Sequence, residues 1–408
     1  MNKRGRTQGW IVLVAGALGI FMTTPGQTVG VSAFVDHIAI DLGIPREQVV
    51  MLYSVGTLLG ILPAPLIGRV VDRYGPHRAI AFIAPALGFA CAMVALAYGP
   101  WSLALAFTLL RGSAIGGLSL VSLNLVNLWF DRLRGRATAI AMLGLALGGL
   151  VVPGTAEQVT TAYGWRVAYL TLGAAVVAVM LPVGLTCFRG RPQAYGLTPD
   201  FGKALPAGAT LYREDLTPGE ASRTQMFWYL LSISVLANAI GTALLLDHVR
   251  ALQMVGLARA SAIGLLGAVT VAQGICVLGG GVLVDRYGTR RVGMLGLTLL
   301  GLAVTCVMAT PALVAGSIYA AALGAGLGIL HVVQGAGLAE HFGTQHLGTL
   351  RGTASVFGIF GAASGPLLFA WWSPETAYVA FLASIAIALA LGGSAVPRPL
   401  VRTEAVKP

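Results

Sequence analysis

Long apolar runs separated by short polar stretches set the pattern of this chain. Twelve runs stand out, at 10–35, 49–71, 79–98, 102–129, 137–159, 165–188, 225–249, 259–284, 292–310, 312–339, 349–372 and 375–396. A helix needs about 20 apolar residues, at about 1.5 Å rise each, to cross a bilayer, so each run predicts one transmembrane helix. The expected fold class is an all-α polytopic membrane protein of twelve transmembrane helices. Pro63, Pro65, Pro85, Pro153 and Pro366 fall inside the runs. They would break helices in water, but in a membrane bundle neighbouring groups satisfy the freed carbonyls. The longest polar segment, 189–224, carries Arg189, Arg191, Lys203, Arg213, Glu214, Asp215, Glu220 and Arg223. It divides the chain into an N-terminal six-helix bundle (1–188), a linker (189–224) and a C-terminal six-helix bundle with a short tail (225–408).

Composition agrees with the pattern. Hydrophobic residues make up 56% of the chain and charged residues 10%, against roughly 25% charged in a soluble domain, and mean hydropathy is +0.82. So few charges cannot cover a water-facing surface. The apolar run that follows Lys3, Arg4 and Arg6 reaches Phe34 with no small-residue cleavage signal, which predicts a retained first span. Cys91, Cys187, Cys276 and Cys306 lie in or beside apolar runs without metal-site or CxxC spacing, as small buried hydrophobes. The net charge of +11 could suggest nucleic acid, but its distribution argues otherwise. Of the 26 Lys and Arg residues, twenty-one lie on the side of the N-terminus when the twelve runs are threaded, and only Arg46, Arg166, Arg250 and Arg259 lie opposite. The positive-inside rule then predicts both termini in the cytoplasm. Arg111 alone lies deep in a run.

The two bundles repeat each other. The stretch from Gly68 to Arg78, containing Asp72, Arg73, Tyr74 and Gly75, recurs 213 residues later from Gly281 to Arg291, with Asp285, Arg286, Tyr287 and Gly288. Arg134-Gly135-Arg136-Ala137-Thr138 opens the fifth run and Arg351-Gly352-Thr353-Ala354-Ser355 the eleventh. Both then carry a Gly-x-x-x-Gly pair, Gly144/Gly148 and Gly361/Gly365. Parallel repeats of this kind build carriers with a central site between halves.

At the duplicated Gly-x-x-x-Asp-Arg-x-Gly-x-basic-Arg loop the chain resembles the major facilitator superfamily, over essentially its whole length. Within it, Trp129-Phe130 with Arg132, Arg134 and Gly135, His248-Val249, His341-Phe342-Gly343 and His346-Leu347-Gly348 are similar to loops of the monocarboxylate and oxalate/formate porters. The chain departs from that branch where its members often place a carboxylate-binding arginine in helix eight, since Val277 stands there, and where some place a lysine in helix eleven. The resemblance implies two six-helix bundles in the major facilitator fold and a gating role for Gly68, Asp72, Arg73, Gly75, Arg78, Gly281, Asp285, Arg286, Gly288 and Arg291. It implies that Asp72 faces the start of helix eleven near 351–353, and that Asp285 faces the start of helix five near Arg136. A carboxylate at a helix N-terminus is favourable, and such contacts balance two states.

Arg111 matches the superfamily's second motif. A charge within the bilayer is costly, so it is expected to face the bundle interior or a cavity, holding an anion or a proton-carrying group, or else pairing with backbone carbonyls or Glu157. Helices one, four, seven and ten line the cavity in the superfamily. Their polar residues give the remaining substrate-binding candidates: Thr24 and Gln27 beside Thr23 and the Pro25-Gly26 break, then Ser119, Ser122, Asn124, Asn238, Thr242, His331 and Gln334. A single Ser or Thr in such a helix more often serves helix–helix hydrogen bonding, and the group as a whole carries the expectation. For proton coupling the candidates are Asp36, Arg111, Asp247, His248 and His331, histidine being the group that titrates near neutral pH; solvated loops and satisfied packing residues are the alternatives.

No phosphate-binding loop, metal cluster or catalytic triad is visible, so neither an enzyme, a cofactor nor a metal is expected. The expected function is secondary active transport of a small organic anion, a monocarboxylate, coupled to protons by alternating access; the alternative is proton-driven export of hydrophobic drug-like molecules. The expected partners are a small-molecule substrate, protons and the lipid bilayer, with no nucleic acid, in a monomer of the cell inner membrane.

Overall fold

The computed structural model describes residues 3–195, 197, 199–202, 215–246, 248, 252–253, 256–309 and 313–396. Every regular element among them is helical. In order they are α1 (Lys3–Phe21), α2 (Thr28–Ser32), α3 (Val35–Leu42), α4 (Arg46–Ile61), α5 (Ala64–Ala95), α6 (Pro100–Arg111), α7 (Leu120–Trp129), α8 (Arg134–Tyr163), α9 (Trp165–Cys187), α10 (Pro199–Gly202), α11 (Pro218–Ala221), α12 (Gln225–Leu246), α13 (Arg259–Ala309), α14 (Leu313–Phe342), α15 (Leu347–Trp371) and α16 (Pro374–Ser394). Among the described residues nine helical stretches are long and apolar enough to cross a membrane. One of them, Gly264–Met308, contains two spans that meet at Gly288, whose φ of 78° breaks the helix. Adding α4 with the first turns of α5, and the 25-residue α15, completes twelve.

Local chemistry explains the breaks. The first span stops at Phe21 and resumes at Thr28, around a 3-10 turn at Thr24–Gly26. Pro25 has no N–H to continue the ladder, and the Thr23 and Thr24 hydroxyls donate to the Ile20 and Phe21 carbonyls at 2.6 and 2.5 Å. The second span is cut by Leu62-Pro63, so α4 ends ten residues before the predicted 71. Gly75, like Gly288 in the repeat, takes a φ of 78° that residues with a Cβ rarely adopt, and turns the chain into the third span. The fourth span runs Pro100–Trp129 with a π-helical segment at Gly112–Ser119 joining α6 to α7.

Two hydrophobic cores form. One gathers buried side chains from Val12 to Leu197, including Phe34, Phe107, Tyr169 and Phe188; the other runs from Ala221 to Ala395, including Tyr229, Tyr319, Phe342 and Phe381. Ala139 of α8 belongs to the second core, because α8 lies against α13. The Gly-x-x-x-Gly pairs do the same work twice: Gly144 and Gly148 bring α8 onto Ala17 and Thr24 of the first span, and Gly361 and Gly365 bring α15 onto Val235 and Ala239 of α12.

Candidate functional site

The two halves meet at the end that carries the repeated loops. The first turns of α8 and α15 begin at Leu133 and His346, neither of which caps its helix with a side chain. Unpaired N–H groups at a helix start seek an acceptor, and here each is supplied by the other half. Asp72 accepts from the Gly348 N–H at 2.7 Å and from the Thr349 N–H and hydroxyl, both at 2.8 Å. Asp285 accepts from the Gly135 N–H at 2.6 Å and the Arg136 N–H at 3.2 Å, with the Arg136 Nε at 3.5 Å. Asp285 therefore sits where the repeat implied, whereas Asp72 reaches one turn nearer the helix start than 351–353. Gly68 backs directly onto Gly348, and Gly281 onto Gly135, leaving no room for a Cβ. Gly75 and Gly288 form the turns described above. Arg73 and Arg286 lie over the rings of Tyr74 and Tyr287, at 5.5 and 5.3 Å, while Arg78 and Arg291 are exposed.

Two linker carboxylates, not foreseen from the sequence, complete these loops. Asp200 accepts from the N–H groups of Asp131, Arg132 and Leu133 at 3.1, 2.8 and 3.0 Å. Asp215 accepts from those of Thr344 and Gln345 at 2.6 and 3.3 Å.

Above this closed end lies a cavity of about 230 Å³ between the halves. That is just under the roughly 300–1,000 Å³ usual for small-molecule sites. Gln27, Ser119, Asn238, His331 and Gln334 line it, as the sequence suggested. The other candidates lie elsewhere. Thr24 is buried with its hydroxyl spent on Phe21, and Ser122 is buried against Gly19. Asn124 lines a separate cavity of about 90 Å³ beside Asp72, and Thr242 is on an exposed face.

Arg111 takes one of the roles the sequence left open, pairing with a backbone carbonyl. It does not line the cavity. Its guanidinium donates to the Gly26 carbonyl at 2.7 Å and lies 5.1 Å from the Tyr53 ring centre. The break at Pro25-Gly26 exposes that carbonyl, so Arg111 fastens α6 to the interrupted first span and does not pair with Glu157. The proposed relay residues also hold structural partners. Asp36 pairs with Arg46 at 2.8 Å on the surface, and His248 is 1% exposed, between the Tyr319 hydroxyl and the Ala262 carbonyl, each at 3.0 Å. Asp247 lies outside the described residues. His331 meets Gln273 Nε2 through Nδ1 at 3.2 Å; with Nδ1 accepting, the ring proton sits on Nε2.

The cavity's positive side chain is Arg351, which the sequence placed at the start of the eleventh run among the charges on the side of the N-terminus. It is 5% exposed and lines the cavity floor. One nitrogen donates to the Gly335 carbonyl at 2.6 Å, while Nε and the other terminal nitrogen have no hydrogen-bond partner among the described residues. Asn127, from the other half, donates to the same carbonyl at 2.9 Å and to Leu123 at 2.8 Å. Ser234 and Ser355 are also cavity residues that the sequence reading passed over. Helical register was the available signal: Arg351, Ser355 and Gly358 recur at spacings of four and three, on one face of α15.

The model of the Major Facilitator Superfamily matches residues 16–249. Among curated proteins, the chain is 32% identical over 89 residues to the MFS-type transporter hasB of Aspergillus fumigatus, covering 22% of this chain and 20% of that protein. It is 23% identical over 181 residues to the MFS-type transporter opdF of Penicillium oxalicum, covering 43% and 42%. The chain thus spans less than half the length of either relative. Among solved structures, that of the human organic anion transporter MFSD10 (TETRAN) superposes with a TM-score of 0.63 at 16% identity, over 94% of this chain and 99% of that one. The transporter FucP in the outward conformation superposes at 0.68 and 12% identity, over 95% and 99%. Matched by the family model over more than half its length and sharing the fold almost end to end, this multi-pass membrane chain belongs to the Major Facilitator Superfamily.

Proposed function

We propose that the protein is a secondary transporter of a small organic anion, a monocarboxylate, moved with protons by alternating access. The observation that carries this reading is Arg351: a buried arginine that lines a cavity between the two halves, with two nitrogens lacking a hydrogen-bond partner among the described residues. Buried donors left unsatisfied are costly, and a single carboxylate offset by its fork is the ligand such a group selects. The clamps at Asp72 and Asp285 hold the repeated-loop end shut, and that end is cytoplasmic by its Lys and Arg excess. Residues 1–188 and 225–408 then act as the two rocking bodies, joined by 189–224, and substrate shifts the balance between states by binding them unequally. His331, on the cavity wall, is the proton-carrying group of this reading.

Export of hydrophobic molecules remains a second reading, favoured by the apolar N-terminal wall of the cavity. Counterflow of radiolabelled monocarboxylates into proteoliposomes separates the two. Saturable uptake that falls at least about 30-fold in Arg351→Gln, the scale of unpairing a buried charge, is the expected result. Equal uptake by both proteins, or none with drug-driven proton flux intact, would refute the anion reading.

A further inference from the structure

The cavity is chemically divided. Its C-terminal wall carries most of the polar groups, Ser234, Asn238, His331, Gln334, Arg351 and Ser355, set among apolar residues such as Leu230 and Leu338. Its N-terminal wall, apart from Gln27 and Ser119, is built from Ile20, Ile115, Leu120, Leu123, Met142 and Leu145. The polar side also holds donors without acceptors among the described residues: Arg351 Nε and one terminal nitrogen, with Gln334 Nε2. Gln334 adjoins Gly335, whose carbonyl Arg351 already grips, so these donors gather at one junction between α14 and α15. His331 lies one turn along the same face of α14 from Gln334 and Gly335.

We infer that the substrate is an amphipathic monoanion, bound with its carboxylate at the Gly335 junction on the C-terminal half and its hydrocarbon body against the N-terminal wall. The inference rests on the anion reading above and narrows it. A buried donor left unsatisfied is expensive, and there is one cationic side chain to neutralise one carboxylate. A second carboxylate would face the apolar wall, where an unpaired charge is strongly disfavoured. A bare small acid would leave that wall without contacts, whereas each buried methylene is worth about a fourfold gain in affinity. Such a substrate touches both halves at once, which is what a carrier needs if binding is to differ between its two states.

The test is a binding series on the purified full chain in detergent: straight-chain monocarboxylates of increasing length, the matching primary alcohols, and α,ω-dicarboxylates. Affinity should rise about fourfold per methylene until the cavity fills. Alcohols should bind at least about 30-fold more weakly than the acids, and dicarboxylates more weakly than monocarboxylates of equal length. Leu145→Gln should flatten the chain-length slope; Leu145 is 39% exposed and tolerates the change, and Met142→Gln serves as the second variant. A flat series that still depends on Arg351 would overturn this inference and leave the anion reading standing. Carboxylate binding equal in wild type and Arg351→Gln would overturn the anion reading itself, and this inference with it.

Discussion

Arg134 and Arg351 hold the same place in the two halves, each opening an Arg-Gly-x-Ala-Ser/Thr helix start, and each is about 95% buried. Their surroundings differ. Arg134 meets Asp131, three residues earlier, at 2.8 Å. From Phe342 to Leu350 the C-terminal half has no acidic residue, and Arg351 meets a carbonyl and open cavity instead. One arginine thus holds a close ion pair within its own half, while the other feels Asp72 of the opposite half and leaves two nitrogens without a hydrogen-bond partner among the described residues. On the proposed reading, substrate binding lies where the repeat departs from itself, and the positions the two halves share serve the clamps and the packing.

The most damaging way to erase this difference is to give Arg351 the acid that Arg134 has. Ser355→Asp, one turn along the same face, should lower monocarboxylate affinity at least about 30-fold, as read by calorimetry. Arg111 tests the contrast from the other side, as a buried arginine that lies outside the cavity and holds the Gly26 carbonyl. Arg111→Leu strands the Gly26 carbonyl, so it should cost about 1–3 kcal/mol of stability, seen as a lower unfolding temperature, while substrate affinity moves less than about threefold. The clamps offer a subtler asymmetry. Asp72 has three good donors at 2.7–2.8 Å, whereas the Arg136 side chain opposite Asp285 is 52% exposed and adds little. Asp72→Asn should therefore open the repeated-loop end about tenfold more often, and Asp285→Asn less, by accessibility of cysteines placed in that end. The smallest effect belongs to the linker. Hydrogen bonds from the Thr217 N–H and hydroxyl hold the exposed Glu220 carboxyl below its ordinary value. A depressed carboxyl stabilises above its unfolded pKa and loses that contribution as pH falls through the folded one. Glu220→Gln should therefore lower the unfolding temperature slightly at neutral pH, and the difference should vanish as pH falls through the lowered folded-state value.

Much of the fold was legible because the spans are long and their breaks are written in Pro and Gly. The duplicated loops marked where the halves meet, and the two Asp residues found the helix starts expected of them within one turn. The site was harder to read. Arg111 drew attention because it lies deep in a run, but its acceptor exists only because a different span is broken at Pro25-Gly26. Arg351 looked like a topology charge because it stands at the edge of a run, and charge counting cannot see that α15 starts four residues earlier and turns it inward. Asp200 and Asp215 reach backbone groups far away in sequence, and a linker's composition gives no sign of such partners.

The most direct test is calorimetric titration of one monocarboxylate into wild type, Arg351→Ala and Arg134→Ala. The account predicts a loss of at least about 30-fold for Arg351→Ala and a change under about threefold for Arg134→Ala. Equal losses in the two variants, or a loss confined to Arg134→Ala, would contradict it.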